Sequence, residues 1–212
     1  MDGTLASAIR ADGKGTGPVW DAIALPIALR PPEAPVTVLM LGLAGGSVVR
    51  AAKQFRPDAH FVGIEYDQTV VDTAREHMDL DSLGVEIVLG DARDVLRTEK
   101  RLFDVVVEDL FLGPAERVRK PEWLLDEGLP LAMERLLPGG LFVTNTIHEG
   151  PAMRRALLRN RPHLTEIAVR CYWNRIYVAS DTPVVPRSAR RTARQHAALA
   201  GSISWLRFRR IA

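Results

Sequence analysis

The chain has 212 residues, of which 47% are hydrophobic, so it can bury the core of one α/β domain. Its apolar runs are far shorter than the roughly 20 residues of a membrane span, so we predict no membrane association. The single cysteine excludes an intrachain disulfide and a thiolate zinc site, and it favours a cytoplasmic location. The formal net charge is +2, yet seven arginines and no acid lie between Arg187 and the C-terminus. The rest of the chain is therefore acidic.

The first 35 residues predict a lead-in to the main domain. Residues 1–17 are small, polar and glycine-rich, which is typical of a loose segment. Hydrophobic residues at helical spacing predict a helix over 18–29. The prolines within 30–35 exclude a helix there. We therefore assign residues 1–35 to an N-terminal lead-in and linker.

The stretch 36–67 predicts a strand–helix–strand unit with a ligand pocket at its edge. An apolar run over 36–41 ends in the turn Gly-Leu-Ala-Gly-Gly, a helix is expected over 47–55, and a second strand ends at Glu65. Glycines let a ligand approach the backbone at such a turn. A carboxylate about 20 residues further on can bind the hydroxyls of a ribose. The pattern therefore indicates a nucleoside-type ligand.

Strands and helices continue to alternate beyond this unit. We predict helices over 69–78, 121–137, 152–159 and 187–200, and strands over 85–89, 103–108, 141–146, 164–170 and 175–179. Asp67 is placed to cap the helix over 69–78. Alternation requires a mostly parallel sheet with helices on both faces. The predicted fold class is α/β: a Rossmann-like, doubly wound sheet of seven strands with a C-terminal antiparallel hairpin over 36–182, followed by a basic helix and tail over 183–212.

Acidic residues stand at the ends of three predicted strands: Glu65, Asp91 and the pair formed by Glu108 and Asp109. The carboxyl ends of parallel strands share one edge, where ligands bind. Acids are costly to bury without partners, so their repetition predicts a polar ligand rich in hydrogen-bond donors. The glycine turn lacks the Gly-Lys-Ser/Thr of a phosphate loop, so a nucleoside fits better than ATP.

Five segments form an ordered set of motifs. They read Val-Leu-Met-Leu-Gly-Leu-Ala-Gly-Gly-Ser, Gly-Ile-Glu-Tyr-Asp, Leu-Gly-Asp-Ala-Arg-Asp-Val-Leu, Phe-Asp-Val-Val-Val-Glu-Asp-Leu-Phe-Leu-Gly-Pro-Ala and Leu-Pro-Gly-Gly-Leu-Phe-Val-Thr-Asn. In this order they resemble the class I S-adenosylmethionine-dependent methyltransferases, and within them the spermidine synthase-like branch. The resemblance covers about residues 18–180.

This resemblance implies S-adenosylmethionine, or its decarboxylated form, as the cofactor. The implied cofactor-binding residues are Gly42, Ala44, Gly45, Gly46, Glu65, Tyr66, Asp91 and Ala92. Among them, the glycines would flank the methionine part, Glu65 would bind the ribose, and Asp91 would accept from the adenine amine. Asp109, with Glu108 beside it, would be the catalytic acid facing the reacting centre.

The chain departs from the polyamine synthases of that branch. Their second acid, three positions after the first, is replaced here by Leu112. Ala44 stands where the family has the middle glycine of the turn. The family's N-terminal β-domain is expected to be reduced here to a few residues around Met1. A diamine needs acids to hold its cations, so methyl transfer to a nitrogen or oxygen is the better interpretation. Aminopropyl transfer is the alternative, and a non-catalytic cofactor-binding module is a third.

The sequence does not name the acceptor, which we expect to be a small molecule or an amine on a protein. The basic C-terminal segment could meet RNA, but the aromatic-rich motifs of RNA-binding modules are missing. A homodimer is compatible with the sequence. We expect Lys120 and its neighbours in a solvated loop, and Tyr172, Trp173 and Asn174 in hairpin packing.

Overall fold

The computed structural model describes residues 7–9, 16–113 and 117–212. Most of residues 1–17, including the segment around Met1, lies outside the described residues. Within them one sheet of eight strands forms the centre of the fold. The strands are Thr37–Leu41 (β1), His60–Glu65 (β2), Glu86–Leu89 (β3), Phe103–Glu108 (β4), Leu136–Thr146 (β5), His163–Val169 (β6), Arg175–Ser180 (β7) and Leu206–Arg210 (β8).

Seven α-helices connect these strands in the described part of the chain. They are Pro18–Ala24 (α1), Ser47–Lys53 (α2), Gln68–Met78 (α3), Ala92–Thr98 (α4), Gly128–Glu134 (α5), Gly150–Asn160 (α6) and Pro186–Gln195 (α7). The predicted cap of α3 is confirmed, because Asp67 accepts a hydrogen bond from the amide of Thr69 at 2.8 Å. None of the helices in these ranges is long and apolar enough to cross a membrane.

The strand order is β3-β2-β1-β4-β5-β7-β6-β8. Strands β1 to β5 pair in parallel, whereas β7 is antiparallel to both β5 and β6. The chain moves outward in one direction through β2 and β3 and then returns to β4 on the other side of β1. The crevice beside the ends of β1 and β4 is therefore the topological switch point, where such sheets bind ligands.

Both faces of the central strands are buried, which explains their continuous apolar sequences. In β1, Val38 and Met40 pack into one hydrophobic cluster, while Leu39 and Leu41 pack into the other. The first cluster includes residues of α1, α2, α3 and α7, and the second includes residues of α4, α5 and α6. The predicted doubly wound α/β architecture is confirmed.

The sheet has eight strands rather than the predicted seven, because the C-terminal segment adds β8 to its edge. Leu206 pairs with Val169 of β6 in an antiparallel register and is 1% exposed. The hydroxyl of Ser202 also donates to Asp21 of α1. The end of the chain, which we predicted to be a basic tail, is thus packed against the main domain. Its arginine-rich strand alternates apolar and charged residues too briefly to stand out.

The single helix predicted over 121–137 is wrong. A short 3₁₀ helix, Glu122–Leu124, precedes α5, and the chain is already in β5 at Leu136. Pro130 has no amide hydrogen, so it is tolerated in the first turn of a helix that begins at Gly128. The Pro-Gly-Gly of the fifth motif, which follows the predicted helix, lies within the strand, next to a shift in the β4–β5 register.

We expect Leu206→Ala to lower the free energy of unfolding by about 2–4 kcal/mol, since it opens a cavity beneath β8. Chemical denaturation measures this change. Arg207→Ala, on the same strand but exposed, is the matched control and should alter stability by less than about 0.5 kcal/mol. Equal stability of the two variants would show that β8 is not part of the cooperative fold.

Candidate active site at the carboxyl edge of the sheet

The glycine turn after β1 lies directly against the end of β4. Gly42 has a φ of 85°, which disfavours other residues, and a Cβ placed there would lie 2.9 Å from the carbonyl oxygen of Asp109. The amide of Asp109 donates to the carbonyl of Leu41 at 2.9 Å. The predicted turn and the predicted catalytic acid are therefore in contact.

The other two glycines of the turn are needed for packing. A Cβ on Gly45 would overlap the side chain of Met78, and one on Gly46 would lie 2.8 Å from Leu80 and Leu83. Gly46 also has a φ of 76°. The two glycines thus let the end of α3 and the segment that follows it approach the turn.

A short described piece of the lead-in lies on the glycine turn. The amide of Gly45 donates to the hydroxyl of Ser7 at 2.8 Å, and the amide of Ala8 donates to the hydroxyl of Ser47 at 2.8 Å. No pattern in the polar sequence around Ser7 predicts this contact.

Glu65 joins the end of β2 to the glycine turn. Its Oε2 accepts from the amide of Ala44 at 2.9 Å, and its Oε1 accepts from the amides of Tyr66 and Asp67 at 2.9 and 3.2 Å. A carboxylate has about four acceptor sites, so one further donor, such as a ligand hydroxyl, can be accommodated. Tyr66 is 76% exposed beside it.

Asp91 lies at the next strand end and caps α4. Its Oδ1 accepts from the amide of Arg93 at 2.8 Å, and the adjacent Ala92 is buried. No other described residue donates to this carboxylate. The amide of Gly90 donates to the carbonyl of Glu65 at 2.9 Å, which holds the two predicted cofactor acids on the same edge.

Glu108, predicted beside Asp109 as catalytic, is fully buried. Its Oε1 accepts from Lys120 Nζ at 2.7 Å and from the amide of Leu110 at 2.8 Å, and its Oε2 accepts from the hydroxyl of Thr144. Both of its oxygens are therefore held by protein donors in the interior.

Lys120 is buried, which contradicts the expectation of a solvated loop. It is 6% exposed, and its Nζ lies 3.9 Å from the centre of the Phe111 ring. Leu112 and Arg119 exchange two backbone hydrogen bonds, which close the loop after β4. The sequence did hold an indication of this lysine's role. Glu108 and Asp109 are consecutive acids at a strand end, and an acid that is buried there needs a cation.

Asp109 is half-buried and is held by a chain of amides. Its Oδ1 accepts from Asn145 Nδ2 at 2.9 Å, and the Oδ1 of Asn145 accepts from Asn174 Nδ2 at 2.9 Å. Burial raises the pKa of Asp109 to about 6, against the opposing effects of Lys120 and Asn145. Such a carboxylate is ionised at neutral pH and can still accept a proton. Asn145 and Asn174 were not among the predicted site residues.

An open cavity lies at the opposite end of the sheet, where the strands begin. It measures about 430 Å³ and is lined by residues at the beginnings of strands, including Thr37, His60 and Glu86. Sheets of this type bind ligands at the carboxyl ends of their strands, so we do not assign this cavity to the site.

Residues 38–120 match the family model described as a methyltransferase domain. Among curated relatives, a polyamine aminopropyltransferase from Aeropyrum pernix is 32% identical over 124 residues, which cover 53% of this chain and 38% of that protein. An eEF1A lysine and N-terminal methyltransferase from Danio rerio is 29% identical over 137 residues, which cover 59% of this chain and 19% of that protein. This chain thus spans less than half the length of either relative.

Two solved structures share the fold over most of the chain. A probable spermidine synthase from Corynebacterium glutamicum superposes with a TM-score of 0.73 at 19% identity, covering 92% of this chain and 76% of the other. Human methyltransferase-like protein 13 in complex with SAH superposes with a TM-score of 0.70 at 20% identity, covering 88% of this chain and 90% of the other.

Residues 38–120 thus match a methyltransferase domain, within an α/β fold that both solved structures share. The chain is similar in sequence to polyamine aminopropyltransferases and to a methyltransferase, which agrees with the resemblance expected from its motifs.

We expect Lys120→Met to lower the free energy of unfolding by about 3–5 kcal/mol, because it leaves the Glu108 carboxylate buried without its cation. Adding Glu108→Gln should recover part of the loss. Arg119→Met is the matched control: its ion pair with Glu122 is exposed and should contribute less than about 1 kcal/mol. If Lys120→Met and Arg119→Met lost equal stability in urea, the buried pair would not be needed for folding.

Proposed function

We propose that this domain transfers the methyl group of S-adenosylmethionine to a nitrogen or oxygen of an acceptor. The observation that carries the proposal is the position of Asp109. It meets the Gly42 turn at the switch point of the sheet and has a pKa of about 6. This position would set a proton-accepting group at the edge where open α/β sheets bind their ligands.

The residues at the first three strand ends would hold the cofactor. The backbone from Gly42 to Gly46 would face its methionine part, Glu65 would accept from a ribose hydroxyl, and Asp91 would accept from the adenine amine. The remaining acceptor capacity of Glu65 and Asp91 supports this arrangement. Tyr66 and Ala92, which follow these acids, would border the nucleoside. When bound, the cofactor supplies a methyl carbon activated by its positively charged sulfur.

Asp109 would orient the acceptor and take its proton. Methyl transfer depends mostly on alignment of the two reactants, so one such group beside a fixed backbone is sufficient. Asn145 fixes the carboxylate oxygen from one side. Glu108 would act as a positioning residue, since it holds the following loop through Lys120 and contacts no open surface.

Aminopropyl transfer from decarboxylated S-adenosylmethionine is the second candidate, because several relatives are named polyamine aminopropyltransferase. The position of their second acid holds Leu112, which is 47% exposed and bridged to Arg119. The Danio relative is named for methylation of amines on a protein. These observations support methyl transfer to a small molecule or to a protein amine over polyamine synthesis.

Isothermal titration calorimetry with both cofactors separates the two reactions. We expect S-adenosylmethionine to bind more tightly than its decarboxylated form, and tighter binding of the latter would overturn the proposal. Glu65→Ala and Asp91→Ala should each weaken binding by about 1–3 kcal/mol, because each removes hydrogen bonds to the nucleoside.

Two further variants test where the cofactor lies. Glu86→Ala is the control, since Glu86 is an exposed acid at the opposite end of β3 and should leave affinity unchanged. Asp109→Asn should also retain most of the affinity, because we place Asp109 at the acceptor. No binding of either cofactor to the folded protein would favour a non-catalytic module that uses the fold for assembly.

A further inference from the structure

A second feature of the carboxyl edge is an open groove of about 280 Å³ beside the start of α6. Strands β6, β7 and β8 form its floor. The side chains that decide its chemistry are His148, Arg154, Glu166, Trp173, Arg175 and Arg209. None of them was assigned to the cofactor or to the proton-accepting group.

The groove has an excess of positive charge. Three guanidinium groups line it, and Glu166 is the only carboxylate among its lining residues. Glu166 is 7% exposed, and Arg209 lies 3.2 Å from both of its oxygens. Within the described ranges, Arg154 and Arg175 have no carboxylate partner. Two cations are therefore available to a ligand, which favours a negatively charged group.

An aromatic side chain stands at the same groove. Trp173 is 77% exposed in the turn between β6 and β7, where hairpin packing was predicted. Arg175 Nη1 donates to the carbonyl of Asn174 at 3.0 Å, which steadies this turn. An exposed indole beside guanidinium groups suits a planar ring that carries a negative charge.

The turn that carries Trp173 is linked to the proposed proton acceptor. Asn174, adjacent to Trp173 in the chain, donates to Asn145, which donates to Asp109. Neither asparagine is among the lining residues of the groove, and two hydrogen bonds separate Asn174 from the carboxylate. A ligand seated on Trp173 would therefore lie next to the residue at which this hydrogen-bond chain begins.

We propose that this groove binds an anionic group, a carboxylate or a phosphate, carried on a planar ring of the acceptor. The proposal rests on the proposed methyl transfer and names its substrate class. It also explains why a polyamine is a poor fit: its ammonium groups would face Arg154 and Arg175 instead of the acids that hold cations.

Titration of intrinsic fluorescence and of NMR amide shifts with phenyl phosphate, benzoate, inorganic phosphate and putrescine tests this inference. We expect the two ring-bearing anions to bind and to perturb the 172–175 turn, with putrescine the weakest ligand. Comparison of phenyl phosphate with benzoate identifies the preferred anion. Trp173→Ala should lower the affinity for phenyl phosphate to that for inorganic phosphate.

Arg154→Gln should weaken phenyl phosphate binding about tenfold, because it removes a charge-assisted hydrogen bond. Arg155→Gln is the matched control, since Arg155 is an exposed arginine of the same helix that does not line the groove. Equal binding by the two variants, or tighter binding of putrescine than of phenyl phosphate, would overturn the inference.

Calorimetry with S-adenosylmethionine on the same proteins separates the two proposals. Arg154→Gln should retain cofactor affinity, because it lies outside the proposed cofactor edge. Absent cofactor binding with intact anion binding would overturn the methyl transfer alone. Normal cofactor binding with no anion preference would overturn the groove alone.

Discussion

The ion pair between Glu108 and Lys120 is the constraint on which the site depends. Glu108 ends a central strand and is fully buried, and a buried carboxylate without a cation is strongly destabilising. Lys120 must therefore return to the strand end, 12 positions along the chain. That return closes the loop through the Leu112–Arg119 bridge and packs the ammonium over Phe111. A pair of charges inside the core thus determines the shape of the surface beside Asp109.

The two neighbouring acids consequently have different tasks. Glu108 faces the interior and is satisfied by protein donors, whereas Asp109 lies at the edge with an amide partner from β5. The Gly42 turn brings the proposed cofactor side of the edge into contact with Asp109, and Asn174 links the same carboxylate to the turn that carries Trp173. The three proposed sites would therefore share one edge, as is usual in open α/β sheets.

Local patterns predicted the parts of the fold that depend on local physics. Strand β4 and the Asp67 cap follow directly from apolar runs and capping chemistry. The start of α5 and the presence of β8 depended on long-range pairing, which overrides weak local signals. The acids at the strand ends were visible in the sequence. The partners that give them their roles, Lys120 and Asn145, come from distant segments and could not be read from spacing.

The proposed chemistry requires that Asp109 is held as a partly desolvated proton acceptor at this edge. A ¹³C NMR titration of its side-chain carboxyl, assigned by comparison with Asp109→Asn, tests it most directly. We expect a midpoint of about pH 6, with the ionised, proton-accepting form dominant above that pH and lost as the pH falls through it. A midpoint close to the ordinary value of about 3.9 would mean that the carboxyl is fully solvated, and it would exclude this role for Asp109.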